Sequence, residues 1–127
     1  MPKKILLIDD EPEIGNAIAD FLEGRVHPAF ELTYAPDGDK GLAAIARSKP
    51  DVLVLDIKMP VKDGREVYRE ITQKALQLPV IIFFDAISGD EMTEIRRFGK
   101  PAVVEKGSRQ SSMPELMSLI KKMAYFG

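Results

Sequence analysis

The stretch Asp51-Val52-Leu53-Val54-Leu55-Asp56 decides the fold, and Lys4-Ile5-Leu6-Leu7-Ile8 followed by Asp9-Asp10 repeats its pattern near the start of the chain. Each apolar run reads as a parallel strand buried on both faces. Asp9, Asp10 and Asp56 then stand at the carboxyl ends of strands, where open α/β sheets place their ligand sites. Clustered like charges need a cation, so a Mg²⁺-dependent phosphoryl site is the first chemistry to consider.

Outward from these two runs, apolar stretches alternate with helical patterns to the end of the chain, the mark of βαβ units. Strands are expected at about 4–8, 30–35, 51–55, 79–84 and 101–105. Phe30-Glu31-Leu32-Thr33-Tyr34 alternates like an edge strand, and Val80-Ile81-Ile82-Phe83-Phe84 is continuous like a central one. Ile14, Ala17, Ile18, Phe21 and Leu22 form one helix face, with Pro12 suited to its first turn. Asp37-Gly38 with Leu42, Ile45 and Ala46 marks a second helix, and Asp63-Gly64 with Val67, Tyr68 and Ile71 a third. Ser88-Gly89-Asp90-Glu91 has capping-box spacing for a fourth, with Ile87 and Met92 placed as a hydrophobic staple. Ser112-Met113-Pro114-Glu115 repeats the box ahead of Leu116, Leu119, Ile120 and Met123. Right-handed crossovers fold five such units into a flavodoxin-like doubly wound (βα)5 domain, a three-layer sandwich whose parallel sheet has the order 2-1-3-4-5. Strands one and three are then neighbours, and the three aspartates converge.

A chain of 127 residues is expected to form one domain spanning 1–127, with no room for an output domain. Its formal net charge of -2 gives no electrostatic case for nucleic acid or membrane, so a partner is expected to be a protein or small ligand. The expected location is cytoplasmic, since no apolar stretch approaches the roughly 20 residues that cross a bilayer and the first residues run into a strand. Zero cysteines exclude disulfides, Cys-ligated zinc and thiol nucleophiles, and the single His27 reads as a plain loop residue.

Asp10 and Asp56 can supply carboxylate oxygens to Mg²⁺, Asp9 can act through a bound water, and the backbone carbonyl of Lys58 is close enough in sequence to add a ligand. Lys106, at the end of the fifth strand, is a cation placed to pair with Asp56 or a phosphoryl oxygen. A carboxylate beside Mg²⁺ can attack phosphorus in line and form an aspartyl phosphate.

Across its whole length the chain resembles a response-regulator receiver domain of the two-component phosphorelay family. The resemblance rests on Ile8-Asp9-Asp10-Glu11-Pro12, on Asp51 through Asp56 continued by Ile57-Lys58-Met59-Pro60-Val61-Lys62-Asp63-Gly64, on Leu78-Pro79-Val80-Ile81, and on Gly99 with Lys106 seven residues later. It implies Asp56 as phosphoacceptor, Asp10 as principal metal ligand for Mg²⁺ or Mn²⁺, Asp9 as its helper and Lys106 as the phosphate-binding lysine. The implied donor is a phosphohistidine on a sensor histidine kinase or histidine phosphotransfer protein. Such a domain promotes its own phosphorylation and dephosphorylation and is not a turnover enzyme.

The pattern departs from the family at three places. A Thr or Ser normally ends strand four, and that position falls on Phe84, or on Asp85 with a one-residue shift. Neither can replace the hydroxyl. Ser88 could offer one only if its loop folded inward, and its capping role is the simpler reading. Val103 stands where the family usually carries an aromatic residue, and Lys106-Gly107 replaces Lys-Pro. The alternative function is therefore a pseudo-receiver working by phosphorylation-independent protein contacts. A homodimer is among the expected partnerships.

Met113, Met117 and Met123 are expected at core and rim positions of the last helix. Exposed apolar residues around Met92, Ile95 and Phe98 are expected to form a partner face, and Tyr125-Phe126-Gly127 either docks or begins a linker. An FMN-binding reading fails because Asp9-Asp10-Glu11-Pro12 would repel phosphate. A haloacid-dehalogenase-like phosphatase would need an aspartate two residues after its nucleophile, where this chain has Lys58.

Overall fold

The computed structural model describes residues 2–23, 30–107 and 109–126; His27 and Gly127 lie outside the described residues. Elements run β1 Lys3–Ile8, α1 Pro12–Glu23, β2 Phe30–Ala35, α2 Gly38–Arg47, β3 Val52–Leu55, α3 Gly64–Gln73, β4 Val80–Phe84, α4 Gly89–Arg96, β5 Ala102–Glu105 and α5 Arg109–Phe126. Among the described residues all four strand pairings are parallel and the sheet order is β2-β1-β3-β4-β5, as the alternation requires.

Alternate residues of each central strand feed two cores. Leu6, Ile8, Leu53, Leu55 and Ile82 meet Ala44 and Ile45 of α2, Val67, Tyr68 and Ile71 of α3, and Ile95 of α4. Ile5, Leu7, Val52, Val54, Ile81 and Phe83 meet Ala17 and Ile18 of α1 with Met113, Leu116, Met117 and Ile120 of α5. Helices thus cover both faces of the sheet, the expected three-layer sandwich. Each fully buried aliphatic side chain contributes about 1.5–3 kcal/mol relative to exposure, so the continuous apolar runs carry the stability of the sheet. Strand β2 lies at the edge and keeps its alternation, with Leu32 and Tyr34 half-buried and Glu31 and Thr33 turned elsewhere.

Local signals hold at most boundaries. Pro12 opens α1. Asp37 caps α2 by accepting from the Lys40 amide at 2.8 Å. The Ser88–Glu91 box closes in both directions, Ser88 Oγ accepting from the Glu91 amide at 3.1 Å and Glu91 Oε1 from the Ser88 amide at 2.9 Å. The Ser88 hydroxyl is thereby committed to α4.

Three expectations are corrected. Helix α5 begins at Arg109, so Ser112 is not its cap but a buried residue inside it, and Pro114 lies in the helix. Starting earlier lets Met113 join the core at 2% exposure, and that burial outweighs the local box signal. On α2 the buried residues are Gly38, Gly41, Ala44 and Ile45, whereas Ala46 faces solvent. On α4 Ile95 is fully buried, so it belongs to the core and leaves the outer face to Met92 and Phe98, both half-buried. Tyr125 docks: its ring meets Phe30 edge-on at 6.1 Å between centroids, with Lys3 Nζ 4.9 Å from the Tyr125 ring centre.

Candidate functional site

Asp9, Asp56 and Lys106 each continue a strand ladder by one residue. The Asp9 amide donates to the Ala35 carbonyl at 3.1 Å, the Asp56 amide to Ile8 at 2.9 Å, and the Lys106 amide to Phe84 at 2.7 Å. Carboxylates and ammonium are therefore set by the sheet, with no flexible loop between strand and functional group. Beyond Asp56 the chain turns tightly. The Gly64 amide donates to the Ile57 carbonyl at 2.8 Å, and a Cβ on Gly64 would run into the Asp56 carbonyl. Asp63 caps α3 by accepting from the Arg65 amide at 2.8 Å, which accounts for the Asp-Gly pair. Within this turn Val61 is 92% exposed and adopts φ +69, a left-handed backbone that suits glycine.

Asp9, Asp10 and Asp56 each place a carboxylate oxygen within 4.8 Å of the others. Asp9 and Asp56 are buried and Asp10 is exposed. Lys106 is 5% exposed, and its Nζ stands 2.9 Å from Asp9 Oδ2, 3.5 Å from Asp56 Oδ1, 3.7 Å from Glu11 Oε1 and 3.9 Å from Asp85 Oδ2. The close Asp9 contact is an ion pair out of line for hydrogen bonding: Asp9 Oδ2 and Lys106 Nζ are both buried without an aligned hydrogen-bond partner. Such orphaned buried atoms are rare and point to a missing partner. An acceptor oxygen among converging carboxylates suits a hard cation, and an ammonium with free donors suits an oxyanion.

Burial pushes the Asp56 carboxyl up to about 7, with Asp9 adding to the rise and Lys106 and the Ile57 amide opposing it. Asp9 is likewise raised, chiefly by burial, against the Glu11 amide and Lys106. Burial works against the Lys106 charge, but the surrounding carboxylates outweigh it and its pKa is raised.

The expected site residues Asp9, Asp10, Asp56 and Lys106 are all brought together. Lys58 follows Asp56 with its side chain in solvent. Phe84 is half-buried and packs with Val103 against the α2, α3 and α4 side of the sheet, while Asp85 is exposed at the mouth of the site. Two participants escaped sequence reasoning. Glu11 faces Lys106, and the Tyr34 hydroxyl donates to the Asp9 carbonyl at 2.6 Å. An acidic residue after an acidic pair hints at the first; the second depends on β1–β2 register and left no sequence signal.

Solved structures share this architecture. The Francisella response regulator 1452 receiver domain is 26% identical, with 96% of each chain covered and a TM-score of 0.81. The phosphorylated cyanobacterial phytochrome response regulator RcpA, 24% identical, has the same fold at a TM-score of 0.85, covering 99% of this chain and 96% of its own. The response regulator receiver domain family model matches residues 5–119, and the chain belongs to that family of two-component systems. Among curated relatives, the alkaline phosphatase synthesis transcriptional regulatory protein PhoP of Bacillus subtilis is 34% identical over 72% of this chain. The probable transcriptional regulatory protein TcrX of Mycobacterium tuberculosis is 28% identical over 95% of it. The chain spans 40% and 51% of the lengths of these two relatives.

Proposed function

We propose that this domain takes a phosphoryl group from phosphohistidine onto Asp56, with Mg²⁺ or Mn²⁺ in the acidic cluster, and signals through protein contacts. The observation that carries the reading is the convergence of Asp9, Asp10 and Asp56 within 4.8 Å, with Lys106 Nζ 3.5 Å from Asp56. Asp10 and Asp56 would hold the cation with the Lys58 carbonyl, and Asp9 through a water. When bound, the cation neutralises charge on the phosphoryl oxygens. An Asp56 oxygen attacks phosphorus in line; the new O–P bond forms as the P–N bond breaks, and the imidazole leaves with the bonding pair and takes up a proton. Lys106 donates its unaligned N–H groups to the transferring oxygens. The donor would be a sensor histidine kinase or phosphotransfer protein in the cytoplasm, and the output a downstream protein target or an attached domain. No external substrate is turned over.

Phe84, Asp85 and Val103 favour a second reading, a pseudo-receiver acting through phosphorylation-independent contacts. Intact-mass measurement after incubation with Mg²⁺ and acetyl phosphate or phosphoramidate separates the two. One phosphate adduct, lost with Asp56→Ala or EDTA, is expected; folded protein without an adduct would establish the second reading.

A further inference from the structure

We propose that Tyr34 is a positioning residue for the acidic cluster, its hydroxyl fixing the Asp9 carbonyl and thereby the direction in which the Asp10 carboxylate is presented. Tyr34 Oη donates to Asp9 O at 2.6 Å, a short bond reaching from the edge strand to the first residue beyond β1. The Asp9 carbonyl and the Asp10 amide belong to one planar peptide unit. Holding that carbonyl sets the plane from which Asp10 departs, at the point where the chain leaves the ladder. Asp10 is the exposed member of the cluster, so burial does not orient it.

The ring is held to do this. Tyr34 pairs with Leu7 in the β1–β2 ladder and packs on the α1 side of the sheet. There the ring lies over α1 at Gly15: a Cβ on Gly15 would stand 3.4 Å from Tyr34 Cδ1, an ordinary packing contact. Strand pairing fixes the backbone of Tyr34, α1 confines its ring, and the hydroxyl falls on the Asp9 carbonyl. A phenylalanine would keep the packing and lose only the bond.

This role rests on the metal-assisted reading above, and calorimetric titration of Mg²⁺ into wild type, Tyr34→Phe and Tyr68→Phe keeps the two apart. Tyr68, buried on the opposite face, reports general packing effects. Tyr34→Phe is expected to weaken Mg²⁺ binding about threefold to tenfold, the range of one hydrogen bond. In phosphorylation by acetyl phosphate the half-saturating Mg²⁺ concentration should rise by the same factor while the rate at saturating Mg²⁺ stays at the wild-type value. Tyr68→Phe should leave both unchanged. Wild-type Mg²⁺ affinity in folded Tyr34→Phe, or an equal loss in Tyr68→Phe, would overturn the positioning role alone. A wild-type protein that binds no Mg²⁺ would overturn both it and the reading beneath it.

Discussion

The Lys106 amide donates to the Phe84 carbonyl over 2.7 Å, tying the residue that carries the buried ammonium to the residue that ends β4. The Phe84 side chain packs with the α2, α3 and α4 core and offers no donor to an anion near Lys106. Phe84→Thr would introduce a hydroxyl at that strand end. One hydrogen bond to a charged group is worth about 1.5–3 kcal/mol, so beryllium fluoride, a phosphoryl mimic, should bind the Mg²⁺-loaded variant about tenfold to a hundredfold more tightly. Fluorine NMR titration checks it. Thermal melts should show a loss of about 1–2 kcal/mol from the removed aromatic ring.

Stability of the metal-free protein should fall as pH rises from about 4 to about 7. Asp56 is raised from 3.8 to about 7, so between those values the folded state keeps a proton that the unfolded state releases. Its stabilising contribution is present below about pH 4 and lost as pH passes 7, on the order of 4 kcal/mol in total. Asp63 and Glu91 run the other way, with lowered values whose contribution disappears in acid. Melting temperatures should therefore peak at mildly acidic pH, and Asp56→Asn should flatten the decline between about pH 4 and 7. A parallel decline in both proteins would refute the assignment.

Mg²⁺ should raise the melting temperature of the wild type at neutral pH. Saturation at a hundred times the dissociation constant corresponds to about 2.7 kcal/mol. Asp10→Asn removes an exposed carboxylate from the cluster while leaving Asp9, Asp56 and their core contacts in place. The expected result is a variant with near-wild-type stability in EDTA and at least a tenfold weaker response to Mg²⁺, read by differential scanning calorimetry.

Among the described residues, two positions hold left-handed backbone without glycine, Val61 at φ 69 and Ala75 at φ 53. Ala75 follows α3 in a Schellman arrangement, its amide donating to Thr72 at 3.0 Å and the Leu76 amide to Ile71 at 3.2 Å. Both residues are exposed, so glycine loses little packing. Val61→Gly and Ala75→Gly should each stabilise by about 1 kcal/mol, the left-handed penalty of an L-residue reduced by the added freedom of the unfolded chain. Gly64→Ala should destabilise by about 2–3 kcal/mol through its collision with the Asp56 carbonyl. Denaturant midpoints measure all three.

Strands buried on both faces need unbroken apolar runs, which is why β1, β3 and β4 and their order were legible, and why aspartates directly after them could be placed. The start of α5 was not. Ser112 and Glu115 have the spacing of a cap, yet a spacing rule does not weigh the core that Met113 gains when the helix starts earlier. Ala46 and Ile95 were misplaced because a helix face read from a few apolar residues is uncertain by a step around the axis. The Tyr34 contact needs two strands in register, and Glu11 and Asp85 reach Lys106 only through the fold. Apart from the acidic run that hints at Glu11, such long-range placements leave no local pattern.

Burial of Asp56 would also make metal binding at the acidic cluster an exchange of a proton for a cation. At pH values below about 7 the buried Asp56 carries a proton, and a divalent cation can take that oxygen only by expelling it. Binding should then release protons into the medium, and the calorimetric heat should vary with the ionisation enthalpy of the buffer. Acidification would empty the site by competition, without disturbing the fold.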